Sequence, residues 1–414
     1  MERILVGVTL ILAPLALAVS ALAAGWSVRE PVWWQAAVHL AVLGGIALMI
    51  YGVNIRIVPV FARRAWRSPR LLVAQVAAGG AGAWLAFVGI GTRNDAVRGI
   101  GAILALIGGL LFMVNIVGLF RQEPAGEAPP LRFAQQVTVD RIATKFMRLS
   151  GTWLVFGLAV GVALVWWRPD RGRWDLVWAH MLLVGFFLSM ASGVCYHVLS
   201  RWSERPWASV AAIRWHYRVV ALGLPFMVVA LAMEWEALFF VAGPLQAAAL
   251  VLLLVNAAPH VARLRGPSRI GIAIAAMFLL VGLTLGVIFA IDPATGARLR
   301  QAHAIANLFG WSGLLISGFG YALVPEFAGT RLRWPRLAAA QVGIVAMGVA
   351  DGTAAVAWRM YGDGPESAVV VARAVVAAGM LLFAGQVAAM FAGSADPERA
   401  TASLFPARSS ETHC

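Results

Sequence analysis

The chain has 414 residues, of which 61% are hydrophobic and only 13% are charged, and its formal net charge is +14. A soluble protein of this length cannot bury so much apolar surface, so the composition excludes an ordinary soluble enzyme and indicates that lipid surrounds most of the chain. All basic residues but Lys145 are arginines. In a membrane protein this excess is typical of cytoplasmic loops that face anionic lipid, so nucleic acid is not an expected partner.

Twelve apolar segments follow one another along the chain, and each can cross the hydrocarbon as a helix, which takes about 20 residues. They are predicted at approximately 4–24, 35–58, 71–91, 100–120, 150–167, 176–199, 217–235, 237–258, 270–291, 302–325, 337–358 and 368–392. The sequence therefore predicts an all-α polytopic transmembrane helix bundle. The first segment is predicted to be a retained span, because many comparable segments follow and no convincing cleavage site does.

The connections are short except for 121–148, which is predicted to be a cytoplasmic loop. The polar segment 394–414 is predicted to be a disordered cytoplasmic tail. Arginine is concentrated on one side of the spans, which predicts cytoplasmic N- and C-termini and a multi-pass location in a bacterial-type inner membrane. Tryptophans are expected to line both interfaces, those on the outer side being Trp33, Trp34, Trp166, Trp167, Trp174 and Trp178.

Three of the segments resemble one another: "HLAVLGGIALMIYGVNIRIVPVF", "HMLLVGFFLSMASGVCYHVLSRW" and "HAIANLFGWSGLLISGFGYALVPEF". In each, two glycines stand eight residues apart, the pairs being Gly44 and Gly52, Gly185 and Gly193, and Gly310 and Gly318. His39 and His180 precede the first glycine by five residues, whereas His303 precedes its own by seven. These are spans two, six and ten, so the chain is predicted to contain three related four-helix units, about 1–120, 150–258 and 270–392.

The three histidines are predicted to lie near the outer membrane face. A lone histidine there is usually an interfacial polar residue hydrogen-bonded to a loop. Three at similar depth favour a metal site, because neutral imidazole is the usual axial ligand of haem and a good ligand of copper. The paired glycines either let helices approach closely or leave room for a flat macrocycle, and both interpretations stay open.

These patterns, above all "HAIANLFGW" and "GVCYHVL", resemble the membrane haem proteins of the heme-copper oxidase subunit I superfamily. They are more similar to its short relatives and to the NnrS-type nitric-oxide-response proteins, which are also twelve-span chains. The resemblance covers the three repeat helices and the number of spans. It implies haem b, with copper as a further metal, bound by His39, His180 and His303. It also implies a small gas such as nitric oxide, or an electron-transfer protein, as partner.

The chain also departs from the pattern of these relatives. They often carry a second histidine two residues after the first, where this chain has Ile305. The adjacent His-His pair and the HPEV motif of oxidase copper sites do not occur in the sequence. A full oxygen-reducing centre is therefore not expected, and whether the protein is an enzyme stays open. A single haem, a copper-only site and a protein that has lost its metals are the alternatives.

Further polar residues fall inside predicted spans. Asp351 and Arg373 lie in spans eleven and twelve, and an unpaired charge at that depth is costly. A salt bridge between them is predicted, with a contact of Arg373 to a haem propionate as the alternative. His197, His216 and His260 are predicted near the inner surface, where contact with lipid headgroups is favoured over an inner metal site.

Two classes of function follow from the sequence. The first is a membrane haem protein that binds or responds to a small gas, or that handles electrons. The second is a twelve-span secondary transporter or a metal-free membrane protein, with Asp351 and Arg373 as gate or fastener. Transporters usually show two six-span halves. The four-span period of the repeat favours the haem protein.

Overall fold

The computed structural model describes residues 1–126, 130–167 and 171–393, so the predicted tail at 394–414 lies outside the described residues. All regular structure in the described part of the chain is helical, and twelve helices there are long and apolar enough to cross a membrane. The predicted all-α bundle of about twelve spans is confirmed. The protein is a multi-pass membrane protein.

The twelve helices are labelled α1 to α12 in chain order. They are α1 Glu2–Trp26, α2 Val32–Ala62, α3 Pro69–Gly91, α4 Asp95–Phe120, α5 Gln136–Trp166, α6 Arg173–Trp202, α7 Val210–Met233, α8 Glu236–Val261, α9 Gly266–Ile291, α10 Ala294–Ala328, α11 Pro335–Tyr361 and α12 Glu366–Ala392. Every helix begins before the apolar segment predicted for it. The reason is that hydropathy measures only the part in hydrocarbon, whereas the helices continue into the polar interface.

Side-chain caps fix several of these helix starts. The side chains of Ser68 and Ser209 accept hydrogen bonds from the first turns of α3 and α7, and Asn94 does the same for α4. Asp292 lies before α10 and accepts the backbone N–H groups of Ala294 and Thr295. Hydrogen bonds from Thr295 hold the pKa of the Asp292 carboxyl below its usual value. Such caps satisfy the backbone donors that open a helix.

The connection predicted at 121–148 is shorter in the structure, because α5 begins at Gln136. The basic stretch that was expected to be loop is helical, with an apolar face that is buried at helical spacing: Val139, Ile142, Ala143 and Phe146. On the same helix, Asp140 forms an ion pair with Arg201 of α6 at 2.7 Å. Tertiary packing thus continues the helix beyond its purely apolar segment.

The three repeat helices form the centre of the bundle. Within their most apolar windows, α2 and α10 are 89% buried and α6 is 78% buried, whereas α8 and α9 are only 22% buried. Helices α1 and α12 pack against each other, so the first and last spans are neighbours: a Cβ atom at Gly7 would lie 3.2 Å from the ring of Phe391. The helices that carry His39, His180 and His303 are therefore largely screened from lipid.

The hairpin of α3 and α4 shows how closely these helices approach. A Cβ atom added at Gly82 or Gly101 would overlap the backbone of the facing helix, at Ala105 and Ala86 respectively. At Gly108 it would lie 2.6 Å from the backbone nitrogen of Gly79. Within a membrane, small residues let helix backbones come close enough for van der Waals packing to hold them together.

Backbone features recur along the three central helices. A π-helical segment interrupts each of them, at Leu40–Ala47, Met181–Leu188 and Ala306–Gly313. Left-handed residues follow their ends at Arg63, Glu204 and Gly329, with φ of 53°, 50° and 66°. The numbers of residues between these three left-handed positions equal those between Gly44, Gly185 and Gly310, the first glycines of the repeat. Since π-helical segments are rare, this repetition supports the predicted four-helix units, whose boundaries stay a prediction.

Candidate metal site at the centre of the bundle

The three repeat histidines share one hydrogen-bonding pattern. Nδ1 of His39 lies 2.9 Å from the carbonyl oxygen of Gln35, and Nδ1 of His180 lies 2.8 Å from that of Leu176. Nδ1 of His303 lies 2.9 Å from the carbonyl oxygen of Gly282 on α9. A carbonyl oxygen can only accept, so Nδ1 carries the hydrogen in each ring and Nε2 keeps its lone pair. This fixed tautomer is the one that ligand histidines adopt in metal sites.

The Nε2 atoms are available as ligands. No hydrogen bond to Nε2 of these three histidines is formed by any residue that the structure describes. Each ring is partly exposed rather than fully buried. An imidazole with one nitrogen bonded to a carbonyl and the other unengaged is a suitable ligand for haem iron or copper.

Two of the three histidines lie side by side. The ring centroids of His180 and His303 are 6.2 Å apart, and the ring planes differ by 20°. His39 instead stacks on Trp178, with centroids 4.1 Å apart and an interplanar angle of 11°. Trp178 is only 2% exposed, so its predicted place in the interfacial belt is wrong. The structure thus gives a pair, His180 and His303, and a third imidazole that stacks on an indole.

His303 reaches this pair by a different route from that of His180. It stands two residues earlier in its repeat, and two residues turn a helix by about 200°. Its ring is consequently bonded to a carbonyl of the neighbouring helix α9, while His39 and His180 use carbonyls of their own helix. Ile305 occupies the position that matches His39 and His180, and it is fully buried.

The repeat glycines serve helix packing. A Cβ atom would lie 3.1 Å from Ala16 of α1 at Gly44, 2.7 Å from Trp153 of α5 at Gly185, and 2.6 Å from Phe278 of α9 at Gly310. The second glycine of each pair is equally crowded, with the nearest atoms at 2.9 Å for Gly52 and Gly193 and at 2.8 Å for Gly318. Of the two interpretations of these glycines, close approach of helices is the one that the structure shows.

The donor set at this place consists of two imidazoles. Among the described residues there is no group of three or more His, Cys, Asp or Glu side chains that could hold a metal ion. Two rings bound to one ion can have centroids up to about 6 Å apart, given a bond of about 2 Å and about 1 Å from ring centre to nitrogen. The 6.2 Å between the ring centroids of His180 and His303 lies at the upper limit of this span.

Asp351 and Arg373 are placed apart. Arg373 is 1% exposed, and its Nε and Nη1 atoms are buried without a hydrogen-bond partner in the described part of the chain. Asp351 lies on an exposed face of α11. The next residue, Gly352, is the one that faces Arg373, since a Cβ atom there would overlap Nη1. The predicted salt bridge is not formed, because one residue turns a helix by about 100°.

The histidines at the opposite end of the bundle differ from the prediction as well. His216 and His260 are each 1% exposed, so contact with lipid headgroups is wrong for both. Nδ1 of His216 lies 2.8 Å from the Tyr196 hydroxyl, and Nδ1 of His260 lies 2.7 Å from the Ser203 hydroxyl. His197 contacts Asp140, with Nδ1 2.7 Å from Oδ1. Each of the three thus has its own protein partner.

A buried polar network lies in the third four-helix unit, and the sequence did not predict that its residues are connected. The Tyr321 hydroxyl donates to Oε1 of Gln341 at 2.9 Å and accepts from Nε2 of Gln386 at 3.0 Å. Gln341 follows Tyr321 by as many residues as His216 follows Tyr196. Gln75 has the same spacing from Ile55 and bonds Asn115 at 2.8 Å. This repeated spacing is the signal that could have found it.

Replacing Tyr321 with phenylalanine is expected to lower the free energy of unfolding by about 1–2 kcal/mol, because two buried glutamines lose a partner. Tyr51→Phe is the matched control, since Tyr51 is 3% exposed and its hydroxyl makes no hydrogen bond to the described residues. Thermal unfolding in mild detergent measures both variants. Equal losses in the two variants would show that the network adds nothing to stability.

Comparison with known proteins gives a match at the level of fold. No family model matches the sequence, and no curated protein matches it significantly. The chain is similar to a solved cryo-EM structure of a heme-copper terminal oxidase dimer, with a TM-score of 0.63 and 13% sequence identity. The match covers 95% of this chain and 83% of that one. The protein is therefore a membrane helical bundle with the fold of a heme-copper terminal oxidase.

Proposed function

We propose that the protein is an integral membrane b-type haem protein of the NnrS-like or oxidase-like kind, with copper as the other metal that its histidines could bind. The proposed role is to bind or respond to nitric oxide or a similar small gas, or to pass electrons to a partner. The observation that carries this proposal is the adjacent pair His180 and His303, whose rings are 6.2 Å apart with both Nδ1 atoms engaged by carbonyls.

Each residue of the site has a distinct part in this proposal. His180 and His303 would hold the metal through Nε2, and the carbonyl oxygens of Leu176 and Gly282 keep the rings in the required tautomer. His39 is the third candidate ligand, and its contact with Trp178 fixes its ring. A haem iron held by these imidazoles would supply a one-electron redox couple, and it would bind a diatomic gas where one imidazole ligand is exchanged for the gas.

Arg373 is proposed to contact a haem propionate. It is a buried guanidinium without a partner among the described side chains, and a carboxylate is the group that a guanidinium binds most specifically. The proposed setting is a bacterial-type inner membrane with both termini in the cytoplasm, which is supported by arginines at the ends of the bundle where α2, α6 and α10 finish.

A metal-free membrane protein, or a secondary transporter, is the second candidate. Two observations favour it: neighbouring side chains fill the space beside the repeat glycines, and the described residues contain no group of three metal-binding side chains. Against it stands the adjacency of His180 and His303, whose Nε2 atoms are bonded to none of the described residues.

A reduced-minus-oxidised visible spectrum of the purified protein, with a pyridine haemochrome assay and elemental analysis, tests the proposal. We expect a b-type haem signal in the wild type that is lost in the combined variant His39→Ala, His180→Ala and His303→Ala. His216→Ala is the control, because this imidazole is buried among α5, α6 and α7 and hydrogen-bonded to Tyr196. A wild-type protein from haem-replete cells that contains neither haem nor copper would leave the metal-free account standing.

A further inference from the structure

Arg373 is the most anomalous charged residue in the described bundle. It is 1% exposed and the largest of the fully buried side chains. Its Nε and Nη1 atoms have no hydrogen-bond partner in residues 1–126, 130–167 and 171–393. A buried charge of this kind is strongly unfavourable unless an opposite charge neutralises it. Something other than the described side chains must therefore meet this guanidinium.

Asp351 of α11 and Glu366 of α12 do not neutralise Arg373. Asp351 is exposed on α11, although the adjacent Gly352 packs against the guanidinium. Glu366 begins α12 and bonds Arg359 at 3.1 Å. Both carboxylates are therefore directed elsewhere, and the positive charge inside the bundle is left uncompensated.

The surrounding backbone is shaped around this side chain. Gly25 of α1 faces Arg373, so that a Cβ atom there would lie 3.2 Å from the Arg373 Cβ. Gly352 of α11 faces the guanidinium, and a Cβ atom there would overlap Nη1. Two glycines on two helices thus leave space for one arginine of a third. A side chain that was buried only by accident would not need both.

We infer that Arg373 forms the cationic wall of an anion-binding site between α1, α11 and α12, for one monovalent anion of the size of chloride or a carboxylate group. A guanidinium binds both chemistries through its N–H donors. The anion has two sources. It is a free halide in the haem-free protein, or it is a carboxylate of the bound haem, and only in the second case does the inference rest on the proposed function.

The first experiment uses the full-length protein without haem, purified in mild detergent. Its melting temperature is measured in chloride and in a bulky sulfonate at equal ionic strength, so that the reference salt carries neither a halide nor a carboxylate. We expect a saturable rise of a few degrees with chloride, because a ligand that binds only the folded state stabilises it. Arg373→Gln is expected to abolish the rise. Arg359→Gln is the matched control, since Arg359 is a partly exposed arginine of α11 and should leave the rise unchanged.

A second variant keeps the test valid if Arg373→Gln does not fold. Gly352→Ala adds one methyl group against Nη1 and retains the charge. We expect the half-saturating chloride concentration to rise at least about tenfold, which corresponds to about 1.4 kcal/mol of binding free energy. Gly343→Ala, on the same helix with nothing within 4 Å of the added Cβ atom, should behave like the wild type.

The haem-loaded protein distinguishes the two sources. If a haem carboxylate occupies the site, loading with haem removes the chloride effect, and Arg373→Gln lowers haem retention. If the chloride effect persists after loading, the anion is a free halide. The inference is overturned if melting is indifferent to chloride without haem and Arg373→Gln leaves haem retention unchanged. A protein that binds neither haem nor copper refutes the proposed function, while the chloride measurement still decides the anion site.

Discussion

Either His180→Ala or His303→Ala alone is expected to remove most of the bound haem, whereas His39→Ala is expected to leave most of it in place. In the proposed site the two rings that lie 6.2 Å apart act together, so that loss of either one is expected to break it. Loss of a residue that merely orients a ligand already lowers metal affinity by about 10–100-fold, so loss of a ligand itself costs at least about that much. The ring contact of His39 is with Trp178, whereas His180 and His303 contact each other.

The measurement is the haem content per protein of each single variant and of the double variant. The double variant combines His180→Ala with His303→Ala. We expect it to retain as much haem as the single variant with the lower haem content, because the effects of residues that act as one unit do not add. If His39→Ala proved as damaging as the other two, the ligand set would include His39, and the side-by-side arrangement of His180 and His303 would not be the basis of the site. Equal retention in all three variants would exclude these histidines as ligands.

Gly101→Ala is expected to destabilise the protein by about 1–3 kcal/mol, although alanine is a better helix former than glycine. Gly101 lies where α4 crosses α3, and the added methyl group would overlap the backbone of Ala86. A flexible side chain could move aside, but a helix backbone can yield only if the two helices separate. Separation would also relax the contacts at Gly82 and Gly108, so the loss extends along the hairpin.

Gly118→Ala is the matched control for this prediction. Gly118 lies on the same helix, and nothing is found within 4 Å of an added Cβ atom. The substitution is expected to be neutral or stabilising by up to about 1 kcal/mol through helix propensity alone. Thermal unfolding in detergent compares the two variants. Similar melting temperatures would mean that close approach of α3 and α4 does not hold the bundle together.

The spans were predictable because the solvent imposes them. A helix must satisfy its own backbone in hydrocarbon, so twelve apolar segments predict twelve helices with little ambiguity. The start of α5 was not predictable by the same rule, because Asp140, Arg141 and Lys145 lower the hydropathy of a segment that is helical. What extends that helix is burial of Phe146 and the ion pair of Asp140 with Arg201, and both depend on packing between distant segments.

The candidate site was only partly predictable. The repeat in the sequence identified His39, His180 and His303, but hydropathy could not show that α2, α6 and α10 are the buried helices. The contact of His303 with the carbonyl of Gly282 depends on how α9 packs against α10. Pairing Asp351 with Arg373 assumed that the two residues face each other, and a single step along α11 places Gly352 there instead. Depth in the membrane can be estimated from sequence more readily than rotation about a helix axis.

The π-helical segments give the centre of the bundle a mechanical property. Each replaces the regular backbone ladder of a central helix over eight residues, beginning next to His39, next to His180 and three residues after His303. Such segments are wider and less regular than an α-helix, and they occur often at functional sites. Each central helix therefore consists of two regular α-helical parts connected by a π-helical segment that deforms more easily. Because one such segment lies just beyond each histidine, a shift of that imidazole can be absorbed locally, without moving the rest of the bundle.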